Sequence, residues 1–388
     1  MPYSDLLPEL TKTLERYRAR SETSRTASNS FLHATIIPEV HDPNRAGRRA
    51  WTAMLSAERD SESPSSQLRQ SLPEATGLRL DLGDTLGEGG MGLVRSANQC
   101  SMGRAVAVKT LREEVVDDDN AMRLVREAWL TGSLEHPNVL PVYDVALDGN
   151  GMPMVVMRRI EGVDWADIIH DAAEIKSRFG EGELLTHNLR ILAQLCQVVA
   201  FAHDRGFVHR DIKPENVRIG LFGELYLLDW GIAVALNDDE SGRFPLAKEA
   251  KEMAGTPSYM APEMLGGDMP PLTEQTDVYL LGAVLYEIVC GVPPHDGTSM
   301  MAVVSSILSS NPDISSSIPN SLTSIIRKCM AANPHDRFSS AEQIRAALLD
   351  HLRLRELEDV LTDSMTKLEE LTELLSSELA PTAKHLAA

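Results

Sequence analysis

Positive charge is in short supply in this 388-residue chain: 37 Lys and Arg stand against 57 Asp and Glu, a formal net charge of −20. So acidic a surface disfavours general binding to nucleic acid or to an anionic membrane. Cysteine is scarcer still. Cys100, Cys196, Cys290 and Cys329 are widely scattered, with no Cys-x-x-Cys pair. That argues against a zinc site or a disulfide framework and fits a reducing compartment. Long hydrophobic runs are missing too. The nearest approach, residues 278–292, is interrupted by Tyr279, Tyr286 and Glu287 and reads as a buried helix of a large domain. Glu9, Lys12, Glu15 and Arg16 break up the N-terminus, so it carries no apolar signal core. These absences lead to the expectation of a soluble, cytoplasmic protein with no nucleic acid partner and no membrane anchor.

What is present is ordinary globular composition, 43% hydrophobic and 24% charged, enough for one large domain with flanking segments. Residues 1–78 open with Leu6, Leu7, Leu10, Leu14 and Tyr17 near helical spacing, then turn Ser-, Pro- and charge-rich, as in the linker-like run 61–66. The Arg25-Thr26-Ala27-Ser28 run could accept phosphate, although a solvated tail is the plainer reading. Residues 79–350 begin with strand-like runs at 78–86, 93–98, 104–110, 139–147 and 154–160. A hairpin turn is expected at Asp148-Gly149-Asn150-Gly151. Helical patterns dominate from about 185. Strands first and helices second suggest an α+β fold with two lobes, dividing near residue 160. Residues 351–388 carry Leu354, Leu357, Leu361, Leu368, Leu371 and Leu375 at heptad spacing, with Ser364 in the vacant seam position. The segment 352–379 is either a coiled-coil helix joining two copies or a helix that packs back on its own domain.

The chemistry starts at Leu86-Gly87-Glu88-Gly89-Gly90-Met91-Gly92-Leu93-Val94. Glycines there let backbone N–H groups close over phosphate oxygens with no Cβ in the way. Such a loop is weak evidence alone. Here strand-like residues follow it, and Val106-Ala107-Val108-Lys109 comes next. A lysine ending a buried strand needs a carboxylate or phosphate partner. Glu127, in the helical run 119–134, offers the carboxylate, and a nucleotide's α- and β-phosphates offer the other.

A second cluster lies at His209-Arg210-Asp211-Ile212-Lys213-Pro214-Glu215-Asn216. Asp211 can accept or orient a hydroxyl proton, Lys213 can neutralise charge on a moving phosphoryl group, and Asn216 can supply an oxygen to magnesium. Tyr226-Leu227-Leu228-Asp229-Trp230-Gly231 then presents a carboxylate at a strand end, suited to bridging the metal to phosphates.

Together with Ala261-Pro262-Glu263, these motifs resemble, in order and spacing, the eukaryotic-type Ser/Thr protein kinases, in the style of bacterial members. The resemblance covers residues 80–350. It implies a bilobal kinase fold with a C-terminal helical extension, and ATP with Mg²⁺ (or Mn²⁺) as nucleotide and metal. It also implies protein Ser/Thr acceptors, a signalling role and autophosphorylation. Lys109, Asp211, Lys213, Asn216 and Thr256 would be catalytic, and Asn216 and Asp229 would hold metal. Leu86 to Gly92, Val94, Ala107, Lys109, Glu127, Met157, Arg158 and Ile160 would surround the nucleotide. Residues 255–259 would dock substrate, Glu263 would pair with Arg337, and Asp277 would bind the catalytic-loop backbone.

Three departures bear on activity. Trp230 replaces the usual Phe, another large wedge. Arg158-Arg159 stand where the family has an acidic and then an apolar residue. Arg218 occupies the family's apolar place beneath adenine. A guanidinium stacked on the base gains about 0.5–2 kcal/mol, whereas one buried and unpaired costs several kcal/mol. Arg218 is therefore expected to reach a carboxylate or water; if it fails to, a silent pseudokinase scaffold is the alternative. The segment 232–254 has one hydroxyl, Ser241, among Asp238, Asp239, Glu240, Glu249 and Glu252. One of these carboxylates is expected to pair with Arg210 in place of a phosphate.

Overall fold

The computed structural model describes residues 34–36, 79–89, 92–180, 183–238 and 242–386, with side chains in the last helix to 374. The expected helix near 6–17, the hydroxyls at 25–28, the linker at 61–66, and Gly90, Met91, Asp239, Glu240 and Ser241 lie outside the described residues.

The first part of the chain is a five-stranded antiparallel sheet: β1 (Leu80–Glu88), β2 (Gly92–Gln99), β3 (Arg104–Leu111), β4 (Val142–Leu147) and β5 (Pro153–Arg158), in the order β1-β2-β3-β5-β4. Alternation sorts its faces. Val106, Val108, Ala146, Met154 and Val156 form one buried layer. The opposite face packs Val155 against Leu124 and Ala128 of helix α1 (Asp118–Ser133). Asp117 caps that helix by accepting the Asn120 N–H at 2.7 Å. The expected hairpin is present, with Gly151 N–H donating to Asp148 O at 3.0 Å.

The second part is helical: α2 (Trp165–Ile168), α3 (Ala172–Phe179), α4 (Leu184–Asp204), α5 (Glu274–Cys290), α6 (Met300–Ser309), α7 (Asn320–Cys329) and α8 (Ala341–Leu386). Its core joins Leu192, Leu195 and Cys196 of α4 to Leu281, Val284 and Leu285 of α5 and to Ile326, Ile344 and Leu348. Each such aliphatic side chain contributes about 1.5–3 kcal/mol on burial. Among the described residues, α4 is the helix long and apolar enough to cross a membrane, and half of its apolar window is buried inside this core.

Short strands interrupt the helices; the strand end expected before Asp229 is among them, and sequence periodicity gave no sign of the others. β6 (Gly162–Asp164), β8 (Val217–Gly220) and β9 (Leu225–Leu227) form one small sheet, and β7 (Phe207–Val208) pairs with β10 (Val234–Ala235). Runs of two to four residues are too short to show a period. They matter because they bracket both catalytic segments. The architecture is thus α+β, a β-rich lobe followed by a helical one.

Helix α8 bears on the two readings of the leucine seam. Its first turns pack on the large lobe through Ile344, Leu348 and Leu352. Beyond them Leu354, Leu357, Leu361, Leu368 and Leu371 are all exposed, so this stretch does not fold back on its own domain. The physical reason is reach: 46 residues at about 1.5 Å each carry the helix past the surface that could cover it.

Candidate active site

Strand register builds the roof of the site. Ala107 and Lys109 face away from Val106 and Val108, opposite Met157 and Val155 on β5, while Val94 on β2 sits across from Lys109. This face looks into a cleft of about 740 Å³ between the two lobes. The cleft is lined by Leu86, Gly87, Glu88, Gly89, Gly92, Val94, Ala107, Lys109, Glu127, Met157, Arg158 and Ile160, every described member of the expected nucleotide set. Gly89 N–H donates to Gly92 O at 2.9 Å and closes the loop. A Cβ on Gly92 would stand 3.0 Å from Lys109 Cε, so a side chain there would crowd the lysine.

Lys109 Nζ donates to both oxygens of Glu127, at 2.6 and 2.7 Å. Burial alone would depress the ammonium's pKa, but the carboxylates of Glu127 and Asp229 outweigh it and the net direction is upward. Lys109 therefore stays charged at neutral pH. Burial pushes the Glu127 carboxyl up, opposed by Lys109 and reinforced by Asp229.

The catalytic segment hangs from Asp277 of α5. That buried carboxylate accepts the backbone N–H of His209 at 2.8 Å and of Arg210 at 3.0 Å, and lies 2.8 Å from His203 Nε2. Burial would raise its pKa; these donors hold it below the usual range. Arg210 at φ +69° and Asp229 at φ +60° are both left-handed, which costs roughly 1–2 kcal/mol each. The bonds to Asp277 keep Arg210 in that conformation. His209 accepts Asp211 N–H on Nδ1 at 3.1 Å, so its Nε2–H donates to Leu228 O at 3.0 Å. Trp230 packs edge-on against the His209 ring, 4.4 Å between centroids, and is buried as an inward wedge.

Around Asp211 the expected residues converge. Thr256 Oγ1 donates to Asp211 Oδ1 at 2.6 Å, and Lys213 Nζ donates to Thr256 Oγ1 at 2.8 Å. Lys213 Nζ is 3.7 Å from Asp211 Oδ2. Asn216 spends its amide N–H groups on the Asp211 backbone oxygen at 2.7 Å and carboxylate at 2.8 Å, which turns its side-chain oxygen to other partners. Among the described residues no three His, Cys, Asp or Glu side chains gather as a metal cluster. The oxygens of Asn216 and Asp229 nonetheless suit a hard cation that shares its shell with phosphates.

One hydroxyl at this centre comes from far away in the sequence. Thr35 Oγ1 donates to Asp211 Oδ2 at 2.6 Å, and Ile36 pairs with Gly255. Sequence reasoning missed both. The signal was Ala34-Thr35-Ile36-Ile37-Pro38, an apolar patch with one hydroxyl inside an otherwise polar tail.

The departures resolve in favour of an open cleft. Arg218 Nη1 donates to Asp164 Oδ1 at 2.7 Å and Nη2 to Gly162 O at 3.1 Å, meeting the carboxylate it was expected to need. Asp164 was a second omission; the pairing of β6 with β8 places it opposite Arg218. Arg158 is exposed, and Arg159 lies 3.7 Å from Glu161. Arg210 is buried, with Nη1 donating to Ile232 O at 3.3 Å. Burial lowers its pKa to about 10 against the pull of Asp277, Asp211 and Glu252. Among the described carboxylates of the 232–254 segment, Glu252 is the one whose charge acts on Arg210. Glu263 accepts from Arg337 at 2.6 and 2.9 Å, and the other guanidinium N–H groups reach Ala331, Gln275 and Ala332 oxygens.

Comparisons with known proteins identify the family. The family described as the protein kinase domain matches residues 80–349. Serine/threonine-protein kinase PknB of Mycolicibacterium smegmatis is 34% identical over 285 residues, 71% of this chain and 43% of that protein. The PknB proteins of Mycobacterium leprae and Mycobacterium tuberculosis are 33% and 32% identical over 279 and 309 residues. They match 70% and 77% of this chain, and 42% and 46% of their own lengths. The chain therefore spans less than half the length of these curated relatives.

Proposed function

We propose that this chain, which belongs to the protein kinase domain family, transfers the γ-phosphoryl group of ATP to Ser or Thr hydroxyls of protein substrates, itself included, in a signalling role. The observation that carries the reading is an alcohol held 2.6 Å from the Asp211 carboxylate, in a cleft that also holds the Lys109–Glu127 pair. The names of the relatives point the same way. We assign the catalytic domain to residues 79–350, with 1–78 and 351–388 as flanking segments.

In this reading the glycine-loop N–H groups cover the phosphates. Lys109, steadied by Glu127, grips the α- and β-phosphates. Val94, Ala107, Met157, Arg158 and Ile160 surround the base and ribose. Asp211 orients the acceptor hydroxyl and takes its proton, Lys213 offsets charge on the moving phosphoryl group, and Thr256 fixes both. Mg²⁺, or Mn²⁺ in its place, would be held by Asn216 and Asp229 and would neutralise phosphate charge. Catalysis then rests on positioning and preorganised charge, with no covalent intermediate.

The silent-scaffold alternative had Arg218 and the Arg158-Arg159 pair as its support. Arg218 is paired at the cleft wall and Arg158 is exposed, so it is not retained. The exposed leucine seam of α8 supports a second proposal, homodimerisation through residues 352–379. The kinase reading is tested by thermal shift with ATP and Mg²⁺, followed by labelled-phosphate transfer to a generic basic protein. Stabilisation and transfer are expected from the wild type, and stabilisation without transfer from Asp211→Asn. A wild type that neither binds nor transfers contradicts the reading.

A further inference from the structure

The N-terminal segment enters the catalytic centre as a substrate would. Thr35 Oγ1 is 2.6 Å from Asp211 Oδ2, 3.1 Å from Lys213 Nζ and 3.2 Å from Thr256 Oγ1. It thus touches Asp211, which the proposed mechanism assigns to the acceptor alcohol, and Lys213 and Thr256, which that mechanism places beside it. Position 35 lies 176 residues before Asp211 in the chain, so nothing in the local sequence forces this meeting.

The backbone sets the register. Ile36 N–H donates to Gly255 O at 2.7 Å, and Gly255 N–H donates back to Ile36 O at 2.8 Å, one step of antiparallel strand addition. Gly255 sits at φ +122°, and a Cβ there would come within 2.4 Å of Met264 Cε and 3.0 Å of Arg210 O. The docking edge therefore depends on glycine. The Ile36 side chain, 3% exposed, joins the buried core of the large lobe. A slip of one residue would bring Ala34 or Ile36 to Asp211 and take the isoleucine out of its pocket. Register and chemistry agree on Thr35.

An inert plug needs no hydroxyl at this point, and the segment supplies one. We propose that Thr35 is a phosphoacceptor of this chain's own active site, and that the unmodified segment keeps protein substrates out until the transfer has taken place. The inference rests on the kinase reading above. In the step, Thr35 Oγ forms a bond to the γ-phosphorus of ATP. The bond from that phosphorus to the β–γ bridging oxygen breaks, and ADP leaves with the electron pair. The hydroxyl proton passes to the Asp211 carboxylate. The product phosphothreonine carries close to two negative charges and adjoins Asp211, a like-charge contact that favours release of the segment. Before transfer, a tethered acceptor has an effective concentration on the order of millimolar and outcompetes micromolar substrate.

The test uses the full chain, first dephosphorylated, then given ATP and Mg²⁺ with an exogenous threonine peptide. Residue-level mass spectrometry is expected to find phosphate at Thr35, with a half-time independent of protein concentration. Peptide phosphorylation should show a lag that ends as Thr35 fills. Thr35→Val should keep peptide turnover low. Ile36→Asp, which brings a carboxylate to the buried pocket, should abolish the lag and raise the initial peptide rate about tenfold or more. Full peptide turnover with no lag and no phosphate at Thr35 overturns the inference and leaves the kinase reading intact. A half-time that shortens with protein concentration also overturns it, because transfer is then between molecules. A wild type as silent as Asp211→Asn toward both acceptors overturns the kinase reading itself.

Discussion

Arg218 and Asp164 meet at 2.7 Å on the wall of the nucleotide cleft, one from β8 and the other from the strand paired beside it. The pair decides where the Arg218 guanidinium lies against the cleft. Held by Asp164, it lines the cleft without crossing it. Both side chains are partly exposed, so the pair is worth about 0.5–1 kcal/mol. Asp164→Ala is expected to raise KM for ATP roughly two- to fivefold with little change in kcat, and the added change Arg218→Val should restore it. Steady-state kinetics over an ATP series provides the check; an unchanged KM in the single variant would show that the pair does not guard the site.

The Lys109–Glu127 pair links the sheet to helix α1 and sets where the lysine points. Glu127→Gln removes the charge that raises the Lys109 pKa and loosens its aim. We expect kcat/KM to fall by about 10²-fold or more, with the unfolding midpoint nearly unchanged. Parallel kinetics and thermal melts separate the two effects. Loss of fold without selective loss of turnover would place the pair in the scaffold instead.

Acid sensitivity should trace in part to His295. It is buried between Tyr279 and Ser306, and burial lowers its pKa from 6.5 to about 4. Between those values the unfolded chain binds a proton that the folded chain refuses, so stability rises with pH across that window. The contribution is fully present above about pH 6.5 and is lost as pH falls toward 4, about 3 kcal/mol in all. Denaturant melts over this range should show a shallower acid slope for His295→Gln than for wild type. His136, His187 and His351 are lowered in the same direction and supply the residual slope. Identical slopes would contradict the assignment.

Much of the site was legible because its chemistry is local in sequence. Residues 86–94, 106–109, 209–216 and 229–231 each announce a phosphate loop, a buried cation or a metal carboxylate within a few positions. The sheet was legible for a related reason, since alternation along 104–110 sorts Lys109 from Val108. What escaped depends on long-range pairing. Asp164 becomes meaningful only when β6 lies beside β8, and Thr35 only when Ile36 finds the edge at Gly255. Apart from the strand end before Asp229, the short strands of the helical lobe escaped because two to four residues carry no readable period. The fate of 351–388 escaped because a heptad seam specifies an apolar face and says nothing of what covers it.

That seam yields its own prediction. Leu357, Leu361 and Leu368 are each about 60% or more exposed along α8, so a second copy should bury them. Light scattering of the full chain is expected to give twice the 42.6 kDa monomer mass, and truncation after His351 or the paired change Leu361→Glu, Leu368→Glu should give the monomer. A full chain that is monomeric at micromolar concentration would contradict self-association.

The central claim concerns Asp211, whose carboxylate accepts the Thr35 hydroxyl and the Asn216 amide on Oδ2 and the Thr256 hydroxyl on Oδ1. Its most direct test is transfer of label from γ-labelled ATP to a threonine peptide by wild type and by Asp211→Asn, both shown to bind ATP with Mg²⁺. The expected result is label on peptide threonine with wild type and a loss of about 10²–10⁴-fold in the variant. Transfer that survives the loss of this carboxylate, or fails in the nucleotide-bound wild type, would contradict it.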